Sequence, residues 1–401
     1  MLNCLIANEP YIPGTMFRGL LMTRAHRDHD DMGDLNSVVG NGAIRCLERV
    51  RPIVRADRTM HVVYERTDVA EMTCFLRDFG LISVATTEDG VSYFRGHGTP
   101  AYVVAIVPSN QDRFAGFAVS VAKASDLEEL SNASGVGIDA AEGPGGGRRV
   151  RLVDPDGFRL DVIHGAASVA PLPTRDALIP VNTPDRHARI NAGVRTPVEP
   201  SPIFRFGHVV LQRPNVEESA AWYMRHIGLI ASDIQTLPDG TPGLGFFRFD
   251  RGSQPADHHS IAILGGPKAG VVHVAFETFD IEAVGQGHQH LRGKGWTPYW
   301  GIGRHYFGSQ VFDYWKDPVG DEWEHYADGD VFDASQPTGY RALTRGTLWA
   351  WGADLPESMR PDVPVDQIDA IHAAGGFGKM ELERARGLIL ALQQPPRPWM
   401  R

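Results

Sequence analysis

An internal repeat limits the folds available to this chain more than any other feature of its sequence. The stretch HVVYERTDVAEMTCFLRDFGLI, which begins at His61, aligns with HVVLQRPNVEESAAWYMRHIGLI, which begins at His208 and has one extra residue. Further along, VRLVDPDGFRLDVIHG aligns with YWKDPVGDEWEHYADG. A unit that occurs twice in this way predicts two modules of the same fold within one chain.

Each copy of the repeat alternates strand and helix patterns in the same order. A strand begins at the His, and a segment with apolar residues at helical spacing follows it; in the first copy these residues include Met72, Phe75 and Phe79, and Gly80 ends the helix. The last strand of each copy comes after a turn of the form Asp-Pro-x-Gly, at residues 154–157 and 317–320. This order predicts an α+β fold of paired βαβββ units.

The repeat also predicts how the chain divides into domains. We expect an N-terminal extension over residues 1–57, a first module over 58–165, a Pro-rich linker over 166–202, a second module over 203–330 and a tail over 331–401. The tail has loop character until a helix at about residues 379–393. The apolar side of that helix predicts packing against the body of the protein or against a second subunit, and both alternatives stay open. Our expectation for the assembly is a homo-oligomer.

Composition excludes several classes of function. The chain has 401 residues, 42% hydrophobic and 22% charged, which is typical of a globular protein with more than one core. No apolar run is long enough to span a membrane, and the N-terminus lacks the pattern of an export signal. The net charge of −10 disfavours nucleic acid as a partner. Three scattered cysteines do not make a disulfide framework, so we expect a cytoplasmic protein. From the apolar runs and the net charge we expect neither a membrane nor a nucleic-acid partner.

Three residues of the second module have the types and positions of a metal site. His208 begins its first strand, His273 begins a later strand and Glu324 lies on its last strand. Two His and one carboxylate on one face form the usual ligand set of mononuclear non-haem Fe(II) centres that use oxygen. A single His at a strand start is more often structural than a ligand, but three such residues in register with the repeat favour a metal centre.

The first module provides an internal comparison. His61 aligns with His208 and Asp161 aligns with Glu324, whereas the segment that matches His273 contains only non-ligands such as Phe117. We therefore expect this module to support the fold and the subunit interface without holding a catalytic metal.

The second module resembles the type I extradiol ring-cleaving dioxygenases of the vicinal oxygen chelate superfamily, such as catechol 2,3-dioxygenase and dihydroxybiphenyl dioxygenase. The motif that carries the resemblance reads Gly303-Arg304-His305, then Tyr314, then Asp-Pro-Val-Gly at 317–320, then Glu324. Asp313 departs from the family, which has an apolar residue before the Tyr, and its side chain is expected to face away from the metal. The resemblance covers residues 58 to 330 and implies two vicinal-oxygen-chelate domains, also described as glyoxalase/bleomycin-resistance-like.

The resemblance also implies a role for each site residue. It implies that His208, His273 and Glu324 bind Fe(II), with Mn(II) as the other ion that suits these ligands. His305 and Tyr314 match the pair that contacts the substrate oxygens. His258 and His259 both lie where the family has its acid/base histidine, and alignment of the following strand favours His259. His325 is expected to face away from the site, and His288 and His290 are expected at the surface after a helix.

The implied activity is extradiol cleavage of a catechol by O2, giving a product of the hydroxymuconic-semialdehyde type in the degradation of aromatic compounds. Two alternatives stay open: a metal-dependent glyoxalase-like isomerase or transferase, and a metal-free protein that binds small molecules. Five aromatic residues near the motif are candidates for the substrate pocket, although core packing explains each of them equally well: Phe247, Tyr299, Trp300, Phe307 and Trp323.

Overall fold

The structure is a computed structural model that describes residues 45–175, 179–361 and 363–393. The predicted N-terminal extension therefore lies outside the described residues up to position 44. The first module contains eight strands and two helices, in this order: β1 (Ala56–Arg66), α1 (Val69–Phe79), β2 (Ile82–Thr86), β3 (Ser92–Arg95), β4 (Val104–Pro108), β5 (Arg113–Val121), α2 (Ala124–Ser134), β6 (Ile138–Ala140), β7 (Arg148–Val153) and β8 (Arg159–His164).

The second module repeats this order with two short additional strands. Its elements are β9 (Ile203–Arg213), α3 (Val216–Ile227), β10 (Leu229–Thr236), β11 (Pro242–Phe249), β12 (Ala256–Asp257), β13 (Ile261–Gly265), β14 (Gly270–Thr278), α4 (Ile281–Lys294), β15 (Thr297–Pro298), β16 (Gly303–His305), β17 (Val311–Lys316) and β18 (Glu322–Ala327). The predicted α+β fold of paired βαβββ units is confirmed.

Matching local signals start and stop the first helix of each module. The side chain of Asp68 accepts a hydrogen bond from the backbone N–H of Glu71 at the start of α1, and Asn215 does the same for Glu218 at the start of α3. Both helices end at a glycine in the left-handed region, Gly80 with φ of 114° and Gly228 with φ of 71°. The aligned sequences thus encode the same helix boundaries.

Each module forms one curved sheet in which the two βαβββ halves meet at a central pair of strands. The first sheet has the order β2-β3-β4-β1-β5-β8-β7-β6, and the corresponding part of the second has β10-β11-β13-β9-β14-β18-β17-β16. The register is also the same: Ala118 pairs with His61 and Asp161, while Ala275 pairs with His208 and Glu324. We propose the two sheets as the two domains of the chain.

The tail contributes more to the second sheet than the sequence predicts. It contains β19 (Val331–Phe332), β20 (Gly339–Ala342), β21 (Trp349–Gly352), α5 (Ile368–Ala373) and α6 (Leu382–Gln393). β20 extends the sheet beside β10, and β21 extends it beside β16. The predicted loop character is therefore wrong at β20 and β21, because these short strands form by pairing with sheet edges that lie far away in sequence. The helix predicted at about residues 379–393 is confirmed as α6.

Two buried ion pairs join the modules reciprocally. Asp154, in the turn of the first module, accepts a hydrogen bond from Arg213 of the second at 2.7 Å, and both side chains are fully buried. Asp317, in the matching turn of the second module, accepts one from Arg66 of the first at 2.7 Å. The other carboxylate oxygen of each Asp accepts two backbone N–H groups of its own turn. Each Asp-Pro-x-Gly turn is thereby fixed to the opposite module.

An apolar core also crosses the module boundary. Phe79, at the end of α1, packs edge-on against Phe276 and Trp323 of the second sheet, with ring centroids 5.9 and 5.8 Å apart. In the other direction Tyr223 of α3 lies near Phe117 of the first sheet. Among the described residues, no helix is both long enough and apolar enough to cross a membrane.

Candidate metal centre

Three neighbouring strands bring the predicted metal ligands together. His208 lies on β9, His273 on β14 and Glu324 on β18, and these strands are adjacent in the sheet. Ala275 pairs with both His208 and Glu324, and His273 is two residues before Ala275, so its side chain points to the same face as theirs do. The exposed fractions of the three residues are 1%, 8% and 0%.

The geometry of these side chains fits a metal ion better than hydrogen bonding among themselves. Nε2 of His208 and Nε2 of His273 each lie 3.2 Å from Oε2 of Glu324, and the three potential ligand atoms are all within 4.8 Å of one another. Despite these distances, Nε2 of His273 and both oxygens of Glu324 have no partner with hydrogen-bond geometry. Buried polar atoms without partners are costly, and a cation bound between them would satisfy all three.

The charge state of the cluster also suits a cation. Burial alone raises the pKa of Glu324, but His208, His273 and His305 outweigh it and hold the pKa well below its usual range. Burial lowers the pKa of His208, which favours the neutral imidazole that binds metals. Among the described residues, His208, His273 and Glu324 are the group of His, Cys, Asp and Glu side chains whose ligand atoms lie this close together.

His259 borders the centre, and His258 lies behind it. The ring of His259 lies tilted against that of His208, with centroids 4.2 Å apart. Nδ1 of His259 is 3.0 Å from Nδ1 of His258, and Nε2 of His258 is 2.7 Å from a carboxylate oxygen of Asp233. If Nε2–H of a neutral His258 donates to Asp233, then Nδ1–H of His259 donates to His258 and Nε2 of His259 carries a lone pair. Burial lowers the pKa of His259 well below its usual range, which keeps this residue neutral.

Asp233 is a site residue that the sequence analysis missed. It lies on β10 near the edge of the sheet, and its separation from His258 in sequence follows no motif. The observation that would have identified it is its contact with His258, which only the folded sheet provides.

His305 and Tyr314 form a hydrogen-bonded pair on the other side of the centre. Nδ1–H of His305 donates to the backbone oxygen of Leu348 in the tail at 2.9 Å, so its Nε2 accepts from the hydroxyl of Tyr314 at 2.9 Å. Nε2 of His305 is also 3.5 Å from Oε1 of Glu324. Burial, followed by the charge of Glu324, raises the pKa of Tyr314 well above its usual range, so the phenol stays protonated.

Residues next to the ligands in sequence point away from the centre. His325 donates from Nε2–H to the backbone oxygen of Phe79 at 2.6 Å, on the opposite face of the sheet. Asp313 is fully buried, and its carboxylate accepts hydrogen bonds from His288 and Trp315. Burial raises the pKa of Asp313. Asp313, the residue at which the motif departs from the family, is therefore part of a polar contact between β17 and α4.

Two expectations for other residues are wrong. His288 and His290 lie within α4 and not after it, and both are paired: His288 with Asp313 at 2.9 Å and His290 with Asp78 at 3.1 Å. Partners from distant strands and helices bury these side chains partly, which an inspection of the helix alone does not reveal.

The aromatic candidates separate into two groups. Tyr299, Trp300 and Phe307 line a cavity beside the metal centre, whereas Trp323 belongs to the hydrophobic core. Phe247 also lies in that core, and its neighbour Phe246 faces the cavity instead. Because side chains alternate along β11, Phe246 lines the cavity in place of the candidate Phe247.

The cavity has a volume of about 640 Å³ and extends from the metal centre to the tail. His208, His259, His273, His305 and Tyr314 line one end of it. Residues of the tail from Leu343 to Leu392 line the other end. The tail therefore closes the open side of the second sheet.

At the matching place in the first module, arginines surround the carboxylate. Asp161 lies within 3.5 Å of guanidinium nitrogens of Arg149, Arg151 and Arg159. Gly116 occupies the position that corresponds to His273, since it lies two residues before Ala118 and pairs with Arg159. Here the positive charge beside the carboxylate comes from side chains.

Comparison with known proteins agrees with this geometry. Residues 205–325 match the model of the Glyoxalase/Bleomycin resistance protein/Dioxygenase superfamily. This segment is similar to that superfamily. It contains all three candidate metal ligands of the centre, so the resemblance inferred from the motif is confirmed at the level of the superfamily.

The chain is also similar to a curated protein, metapyrocatechase 2 from Cupriavidus necator. The chain is 34% identical to it over 155 residues, which are 38% of this chain and 46% of the relative. The chain thus matches about half the length of this relative.

Solved structures of the superfamily share the fold. The Mn(II)-bound glyoxalase from Novosphingobium aromaticivorans has a TM-score of 0.64 and 23% identity, covering 77% of this chain and 95% of its own. Homoprotocatechuate 2,3-dioxygenase from Brevibacterium fuscum has a TM-score of 0.63 and 20% identity, covering 78% and 94%. Because a glyoxalase and a dioxygenase are equally similar, overall shape does not separate these two activities.

Proposed function

We propose that the chain is an Fe(II)-dependent extradiol dioxygenase that cleaves a catechol-type diol with O2. The observation that carries this proposal is the combination of two kinds of group around one cavity wall: a two-His, one-carboxylate cluster, and three polar side chains that a metal site alone does not require. The similarity to metapyrocatechase 2 supports the same reading. The product would be of the hydroxymuconic-semialdehyde type, formed in the degradation of aromatic compounds.

His208, His273 and Glu324 would hold the metal, and Mn(II) suits the same ligands. When bound, the metal would supply Lewis acidity toward the diol oxygens and the one-electron redox chemistry that a reaction with O2 needs. His208 and His273 line the cavity, so a metal held by them would be accessible from it. This arrangement supports access of a diol and O2 from the cavity.

The other residues of the site would handle protons and orientation. The lone pair on Nε2 of His259 would take a proton from a diol hydroxyl, and the same nitrogen would return it as the ring opens. The Tyr314 hydroxyl, which accepts and donates through one oxygen, would orient a diol oxygen together with His305. Because His259 and the pair of His305 and Tyr314 approach from different sides, the diol would be held in one orientation.

Ring cleavage is tested by loading the purified protein with Fe(II) without oxygen and then adding catechols and air. We expect a yellow product and, with isotopically labelled O2, both labelled atoms in that product. The repeat offers a matched pair of variants: His208→Ala should lose bound metal and activity, whereas His61→Ala, at the corresponding place in the first module, should keep bound metal. The proposal fails if the iron-loaded protein forms no ring-cleaved product from a broad panel of catechols.

A glyoxalase-like isomerase is the second candidate, because the Mn(II)-bound glyoxalase is among the most similar folds. It predicts activity with Zn(II) or Ni(II) and no consumption of O2. An oxygen electrode therefore separates the two activities, and ligand affinity that survives Glu324→Ala would instead favour a metal-free binding protein.

We also propose that the protein acts in the cytoplasm as a homo-oligomer. Leu390, on the outer side of α6, is 36% exposed and offers an apolar contact for a second subunit. Light scattering of the purified protein measures the number of subunits directly.

A further inference from the structure

The size of the cavity beside the metal centre exceeds the need of a single-ring diol. Its volume of about 640 Å³ lies in the range of ~300–1,000 Å³ that holds drug-sized ligands. A diol bound at the metal end would contact His259, His305 and Tyr314 and leave the tail end of the cavity for the rest of the molecule. The cavity thus has room for a large ring substituent.

The far end of the cavity is apolar, and the tail builds it. Its lining there includes Phe377, Met380, Leu388 and Ile389. On the opposite wall, β11 and β13 contribute Leu244 and Leu264. An apolar surface of this kind stabilises hydrocarbon groups that leave water, and methionine side chains adapt to different shapes.

Charged groups in the cavity lining are few, and each of them has a partner. Among the described lining residues, the carboxylates and strong cations are Glu322 and Arg360. Glu322 pairs with Lys316 at 2.9 Å. Nε and one terminal nitrogen of Arg360 both donate to the backbone oxygen of Leu355, at 3.0 and 2.7 Å, so this guanidinium closes a local loop within the tail.

We propose that the substrate is a catechol with a bulky, uncharged hydrocarbon substituent, which lies against the tail while the diol lies at the metal centre. This inference rests on the proposed function for the diol. The apolar pocket itself comes from the lining residues alone and stands without it.

The chain offers a matched pair of variants on one helix. Ala385 is buried and lines the cavity, so Ala385→Phe fills the space where the substituent would lie. Leu390, on the outer side of α6, is 36% exposed and does not line the cavity, so Leu390→Phe adds an aromatic ring to the same helix without reducing the space. Both variants are checked for folding by circular dichroism.

The first experiment needs neither metal nor turnover. Calorimetry measures the binding of 2-hydroxybiphenyl, which has one hydroxyl and a phenyl substituent, to the metal-free protein. We expect saturable binding to one site, weakened at least ~10-fold by Ala385→Phe and unchanged by Leu390→Phe. Absence of binding, or equal binding to both variants, overturns the inference.

The second experiment uses the iron-loaded wild-type protein and needs no variant. We expect kcat/KM to be ~10–200-fold higher for a phenyl- or alkyl-substituted catechol than for catechol itself, mainly through KM. Preference for a carboxylate-bearing catechol, reversed in Arg360→Met, would overturn the inference. If no catechol is cleaved while 2-hydroxybiphenyl still binds as expected, the dioxygenase proposal fails and the apolar pocket remains.

Discussion

The reciprocal ion pairs between the modules allow a quantitative test of what holds the two sheets together. The pair of Asp154 and Arg213 is completely buried, and the hydroxyl of Tyr223 also donates to Asp154 at 2.8 Å. Replacing Asp154 with Ala leaves a buried guanidinium and a buried phenol without their main partner. Loss of one member of a buried pair typically costs ~3–5 kcal/mol. We expect about 3 kcal/mol here, because Asp156 remains 3.3 Å from Arg213.

Chemical denaturation followed by tryptophan fluorescence measures this loss as a change in the free energy of unfolding. The control is Arg113→Ala, which breaks a pair whose arginine side chain is 55% exposed, and it should cost about 0–1 kcal/mol. In the double variant Asp154→Ala with Arg213→Met, the unpaired charge is gone, so the loss should be smaller than the sum of the two single losses by up to ~3 kcal/mol.

Two results would refute this reasoning. One is a cost for Asp154→Ala that equals the cost for Arg113→Ala, which would mean that burial adds nothing to the pair. The other is simple additivity in the double variant, which would mean that Asp154 acts only through the hydrogen bonds within its own turn. Asp317→Ala removes one partner of Arg66 in the other module and provides an independent repetition, since Asp321 remains beside Arg66 as Asp156 does beside Arg213.

Three further predictions concern the site and its support. Asp233→Asn should lower kcat for ring cleavage by ~10²-fold at unchanged metal content, because Asp233 no longer fixes which ring nitrogens of His258 and His259 carry protons. The control is Asp257→Asn, since the carboxylate of Asp257 pairs with Arg205, and equal effects of the two variants would contradict the prediction. Gly207→Ala should weaken metal binding, measured by metal analysis after dialysis, because a Cβ would overlap the hydroxyl of Tyr326 beside His208, whereas Gly285→Ala in open space should not. Burial lowers the pKa of His61 to about 3, whereas a His in the unfolded chain titrates near 6.5, so the protein loses stability as the pH falls from about 6.5 to about 3. In His61→Phe the loss of stability between pH 7 and pH 4 should be smaller by about 3 kcal/mol. Acid denaturation measures this loss, and an unchanged loss would contradict the prediction.

The fold could be predicted from the sequence because its signals are local and occur twice. Strand alternation, the helix caps at Asp68 and Asn215, and the two Asp-Pro-x-Gly turns all lie within short segments. The joining of β20 and β21 to the sheet could not be predicted in this way. Those strands are short, and the edges that they extend belong to segments far away in the chain.

The candidate site could likewise be predicted only where its signals are local. Ligand positions followed from the repeat, since register and alternation fix which strand residues share a face. Asp233 behind His258, and the backbone oxygen of Leu348 beside His305, depend on contacts between remote segments and left no trace in spacing. The apolar end of the cavity was likewise hidden, because the tail contributes it residue by residue from loops and α6.

The roles of the two modules follow from a few side chains on the same scaffold. Both have a His and a carboxylate paired to a central alanine, at His61 and Asp161 in one and at His208 and Glu324 in the other. A third ligand does not fit in the first module, since a Cβ at Gly116 would overlap the backbone oxygen of Arg159.

Charge reinforces this difference between the modules. In the first module Arg149, Arg151 and Arg159 already neutralise the carboxylate, so an added divalent cation there would meet repulsion from three guanidinium groups. In the second module the buried carboxylate of Glu324 has no such partner, although His208 and His273 lie close to it. Steric fit and charge together therefore favour the second module for the proposed metal site, and this module also carries His259, His305 and Tyr314.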